Sequence, residues 1–130
     1  MTFGEFFGTL QDSVTGAWRK HLQTDKYSSH MALDEYYKEM PEKVDALIEA
    51  YQADNDLVEN YKNLLNAEDY NPISYLEEIK KITTEGRQML NDTELESLCD
   101  DILTLIDSTL YKLKHLDERL NLVDFLKESL

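Results

Sequence analysis

Very little in this chain interrupts a helix. Four glycines and two prolines are spread over 130 residues, while apolar side chains recur at three- and four-residue steps along most of its length. No stretch alternates polar and apolar residues between turn pairs as a half-buried strand would. The predicted fold class is therefore all-α, and 130 residues are the size of one domain, spanning 1–130.

The periodicity divides the chain into four long helices. Thr2 and Glu5 form a capping box, after which Phe3, Phe6, Phe7, Leu10, Val14, Ala17 and Trp18 make an apolar stripe to about residue 23. A short polar connection follows. Leu33, Tyr36, Tyr37, Met40, Val44, Leu47, Ile48 and Tyr51 then mark a helix from about 28 to 53, with Pro41 expected to bend it because proline has no N–H to donate. Leu57, Val58, Tyr61, Leu64 and Leu65 suggest a shorter amphipathic helix between the two halves of the chain. Asn71 and Pro72 supply an N-cap and first helical residue for a third helix reaching about residue 90. Thr93 with Glu96 reads as a second capping box opening a fourth helix to about 116, and residues 120–130 read as a small amphipathic cap. Two long helices, a middle excursion with a short helix, and two more long helices define a four-helix bundle with one long crossover.

Acids outnumber bases 27 to 13, a formal charge of −14. Such a field repels a polyphosphate and attracts cations, so direct nucleic-acid binding is not expected. The single cysteine, Cys99, lies among apolar residues and reads as a small core side chain in a reducing compartment. No basic leader and no apolar run of membrane-spanning length is present, so the expected location is cytoplasmic.

One polar constellation stands out against this background. His21 continues the stripe of the first helix, and His30, Asp34, Asp45 and Glu49 follow on the second. Imidazole and carboxylate suit iron, manganese or zinc. With His30 at zero and about 100° per residue, Asp34, Asp45 and Glu49 fall at about 40°, 60° and 100°, one strip along the edge of the buried face. At about 1.5 Å per residue, His30 and Asp45 are roughly 22 Å apart, so one chain cannot bring both to one metal. Two copies of the helix packed antiparallel about a two-fold axis near residues 39 and 40 would do so, placing Asp45 and Glu49 of one copy opposite His30 and Asp34 of the other. His21 would complete each of two equal sites, and Tyr36, Tyr37 and Met40 would lie near the axis. In so acidic a chain the same spacing also suits a solvated helix face and a hydrogen-bonded histidine. Trp18, Tyr36 and Tyr37 read as packing residues, and His115 as solvated.

The stretch His21 to Glu49, H-x8-H-x3-D-x10-D-x3-E, resembles the ferroxidase signature of the Dps-like mini-ferritins, H-x11-H-x3-D-x10-D-x3-E, matching every spacing after the second histidine. Residues 78–82 and 91–116 are similar to that family's third and fourth helices. The compact form also resembles Dps-like proteins of tailed bacteriophages. The resemblance implies a ferritin-like four-helix bundle and a homo-oligomer, two-fold dimers building a dodecameric shell. It further implies an iron shell of His21, His30 and Asp34 from one subunit with Asp45 and Glu49 from its mate, acting as a ferroxidase. Three departures stand beside it: a first connection three residues shorter, Leu22 where the family usually has tryptophan, and no basic N-terminal arm. The alternative reading is a structural or assembly protein, virion-associated in the phage case, whose metal site is vestigial or structural.

Overall fold

A computed structural model describes residues 1–116 of the chain, and among them there are helices and no strands. The four long helices are α1 (Phe3–Gln23), α2 (Tyr27–Asp54), α3 (Pro72–Gln88) and α4 (Thr93–His115). The small cap expected over residues 120–130 lies outside the described residues.

Local chemistry accounts for most of the boundaries. Thr2 Oγ1 accepts from the Glu5 N–H at 3.1 Å while Glu5 Oε1 accepts from the Thr2 N–H at 2.8 Å, so the capping box forms as expected. Asn71 accepts from the Ser74 N–H and Pro72 opens α3, where its missing N–H costs nothing. The box expected from Thr93 and Glu96 does not form. Asp92, one residue earlier, takes the N-cap instead and accepts from the N–H groups of Glu94 and Leu95 at 2.7 and 3.3 Å. A carboxylate in that position also faces the positive end of the helix dipole. Pro41 lies inside α2, which stays helical on both sides of it.

Packing closes the four helices into a ring: α1 on α2, α2 on α4, α4 on α3, and α3 on α1. Phe6, Phe7 and Leu10 from α1 meet Leu33, Tyr36, Met40 and Leu47 from α2, Leu76 and Ile79 from α3, and Ile102 and Ile106 from α4 in one fully buried core. Each such large apolar side chain contributes on the order of 1.5–3 kcal/mol. The Tyr36 hydroxyl enters that core with a partner, Ser13 Oγ at 2.9 Å, which avoids the penalty of an unsatisfied buried group. Trp18 departs from the predicted stripe: it is 50% exposed, because helix pitch carries it past the edge of the buried face.

The amphipathic helix expected around residues 57–65 is absent. That segment is an extended strap, followed by a single 3-10 turn at Ala67–Asp69. Two of its backbone N–H groups donate to α1, Lys62 to the Gly4 carbonyl at 3.1 Å and Leu64 to Thr9 Oγ1 at 3.0 Å. The approach depends on two glycines. A Cβ on Gly4 would stand 2.5 Å from the Asn60 carbonyl oxygen, and one on Gly8 would stand 2.5 Å from that of Lys62. The bare face of α1 therefore admits a chain segment where a side-chain ridge would exclude it. Asn60 meets the path with a positive φ of 59°, which asparagine tolerates better than most residues. The Phe3 and Tyr51 rings touch at one end of α1, and Lys20 donates to the Tyr70 carbonyl near the other. The strap thus travels the length of α1 and starts α3 at the end where α1 finishes.

Cys99 is fully buried in α4, with its thiol directed to the Thr83 carbonyl and its pKa pushed up to about 11 by burial. Since the thiolate is the reactive form, labelling of the native protein by a disulfide reagent at pH 8 is expected to run at least about a hundredfold slower than in denaturant. Stopped-flow absorbance would measure both rates.

Candidate metal centre

The turn at residues 24–26 folds α2 back along α1 and brings the two histidines together. A helix leaves its last four carbonyls without intrahelical donors. His21 carries one of them at the end of α1, and His30 Nδ1 lies 2.8 Å from that oxygen. A carbonyl can only accept, so Nδ1 carries a proton and Nε2 is left outside this contact. This is the arrangement in which a backbone acceptor orients a ligating histidine.

The rings of His21 and His30 stack at 3.8 Å between centroids, and His21 is 7% exposed. His21 Nε2 is 3.5 Å from Asp34 Oδ1, whereas its buried Nδ1 has no hydrogen-bond partner. Bond lengths of about 2.0–2.2 Å place two ligand atoms on one metal roughly 3.0–3.5 Å apart, so the His21 and Asp34 atoms are suitably spaced. The His21 Nε2 and Asp34 pair fits one side of a metal shell, while the orphaned Nδ1, on the opposite edge of the ring, is directed away from it. The pair does not close one: among the described residues no three His, Cys, Asp or Glu side chains form a group able to hold a metal ion.

A lysine that the spacing analysis did not include competes for the carboxylate. Lys38, one turn after Asp34, places its ammonium 3.0 Å from it and holds the Asp34 carboxyl below the usual range, against a smaller opposing effect of burial. An i,i+4 acid and base on a helix are enough to suggest this pair from sequence. Tyr37 packs its ring 5.1 Å from that of His21 and stacks on Trp18 at 5.5 Å with planes 14° apart. The tryptophan is thereby linked to the histidines through a single ring.

Asp45 and Glu49 are exposed on the second half of α2, away from the histidine group. Of the five predicted residues, one chain assembles His21, His30 and Asp34 and leaves the other two pointing outward. Tyr36 and Met40 are fully buried in the chain's own core, so only Tyr37 of the three residues expected near the axis has surface to offer a partner. His115 is exposed beside Tyr111, as its position off the stripe suggested.

Residues 21–113 match the model of a family of unknown function, DUF5856, and the chain belongs to that family. The matched span contains all five candidate ligands. Comparison with curated proteins and with solved structures returns no match.

Proposed function

We propose that this chain is a Dps-like mini-ferritin: a ferritin-like bundle, with the segment between α2 and α3 as its long crossover, that takes Fe(II) as substrate at sites shared by two-fold-related copies. The observation that carries this reading is the meeting of His21, His30 and Asp34 beside the α1–α2 turn, with one imidazole oriented by a backbone carbonyl and the Nε2 of the other 3.5 Å from the carboxylate. Asp45 and Glu49 of a second copy would add the hard oxygen donors that three residues of one chain lack. Carboxylate ligation favours Fe(III) over Fe(II) and so assists electron loss. With peroxide as oxidant, two Fe(II) each give one electron and two protons are taken up, yielding two Fe(III) and two waters. Anaerobic Fe(II) titration followed by peroxide should give saturable ferric absorbance, and quenching of Trp18 fluorescence should follow the metal. An unchanged oxidation rate in the double variant His30→Ala with Asp45→Ala would overturn the reading.

One observation favours the alternative, an assembly or structural protein with a vestigial site: Lys38 occupies Asp34 as it would in a purely structural pair. The two readings part at Lys38→Met. If Asp34 is a ligand, freeing it from the Lys38 ammonium should tighten Co(II) binding by up to about fivefold. Isothermal titration would measure it, and unaltered or absent binding supports the alternative.

A further inference from the structure

At the end of the bundle where α1 turns into α2 lies a cavity of about 580 Å³, open to solvent and separate from the histidine group. Its walls include Lys20, Thr24 and Ser29 on one side and Tyr70, Asn71 and Ile73 on the other. Lys20 is the unusual member. It is 6% exposed, forms no salt bridge among the described residues, and spends one N–H on the Tyr70 carbonyl while its ammonium lies 5.4 Å from the centre of the Tyr75 ring. An ammonium has three donors and, once desolvated, gains most from a charged acceptor. We infer that this cavity binds a small oxyanion, a phosphate or carboxylate group, through the Lys20 ammonium and the polar groups at the start of α2.

The first turn of α2 opens at the cavity, where Ser29 joins Lys20 on the wall. Burial pushes the Lys20 ammonium pKa down, with a smaller opposing effect of the Glu68 carboxylate. Asp25 and Glu68 also stand on the wall and restrict the occupant to a single small anionic group rather than a polyanion. The Tyr70, Pro72, Ile73 and Leu113 side leaves room for an apolar body attached to that group.

The test uses the iron-free full chain, so that its result is independent of the iron reading. Inorganic phosphate and acetate are titrated separately against ¹⁵N-labelled protein, with chloride adjusted to constant ionic strength. Saturable shifts of the Thr24, Ser29 and Asn71 amides are expected, weakened at least tenfold in Lys20→Met and retained in Lys20→Arg. A response to phosphate alone assigns a phosphoryl ligand, and a response to both assigns a group of carboxylate size. Shifts that grow linearly, match those of chloride, or persist unchanged in Lys20→Met overturn the proposal and leave Lys20 as an anchor for the Tyr70 carbonyl. If Lys20→Met does not fold, Ile73→Trp, which fills the cavity from a half-buried position, replaces it: binding that survives the filling overturns the proposal equally.

Discussion

Mixing two inactive proteins, His30→Ala and Asp45→Ala, is expected to restore about a quarter of the wild-type rate of Fe(II) oxidation. In the proposed two-fold dimer each shared site would take its histidines from one chain and Asp45 from the other, so either substitution alone would damage both sites. A mixed dimer pairs the intact His30 of one variant with the intact Asp45 of the other at one site and combines both defects at the second. Random reassortment makes about half the dimers mixed, each with one working site of two, hence the quarter. Refolding the variants together and following ferric absorbance after peroxide gives the measurement, with Trp18 fluorescence as an independent record of metal binding. Recovery to nothing above the separate variants would place His30 and Asp45 in different functions, or in none. The expected loss in each parent is large, on the order of a hundredfold, the scale seen when a directly ligating or orienting group is removed from a metal site.

Gly8→Val should lower stability by about 3 kcal/mol. The new Cβ alone would lie 2.5 Å from the Lys62 carbonyl oxygen and 2.6 Å from its nitrogen, and the obstructing atoms are backbone that cannot rotate away. Either α1 and the strap separate, losing the Lys62 to Gly4 and Leu64 to Thr9 hydrogen bonds, or the overpacked contact persists at a cost of about 1–3 kcal/mol. Valine recovers little of this through helix propensity, since its branched Cβ makes it a poorer helix former than alanine. A thermal midpoint lower by roughly 10 °C is expected by calorimetry. Thr15→Val, at an exposed position of the same helix, should stay within about 0.5 kcal/mol of the parent and isolates the effect of the strap.

Gly8 also shows where reading the chain residue by residue stops. The four long helices were legible because their evidence is local: a 3.6-residue stripe, a threonine and glutamate three apart, an asparagine before a proline. Side chains within one turn of each other satisfy or fail to satisfy the backbone whatever the rest of the molecule does. The strap carried the same kind of stripe, from Leu57 to Leu65, and did not coil. Its backbone donors had another place to go, a groove on α1 opened by Gly4 and Gly8 more than fifty residues earlier, and no local periodicity records that groove. Leu57, Tyr61 and Leu64, which a helix would have buried, stay exposed as a result.

The candidate centre divides in the same way. Helix pitch was sufficient to put His30, Asp34, Asp45 and Glu49 on one strip and to separate His30 from Asp45 along the axis, because those relations hold on any α-helix. The sequence also contained the Asp34 and Lys38 pair in its four-residue spacing. Whether His21 would meet His30 depended on how tightly residues 24–26 turn, and it is the tertiary fold that stacks the rings and joins His30 to the His21 carbonyl. Tyr36, Tyr37 and Met40 differ by less than one and a half turns, so periodicity alone left open which would face the core; packing against Ser13 and the other helices buried Tyr36 and Met40 and left Tyr37 to Trp18. Lys20 was the furthest from view. A lysine near the end of an amphipathic helix ordinarily reaches water, and only the arrival of Tyr70 at the end of the strap closes the space around it and turns a surface cation into a buried one.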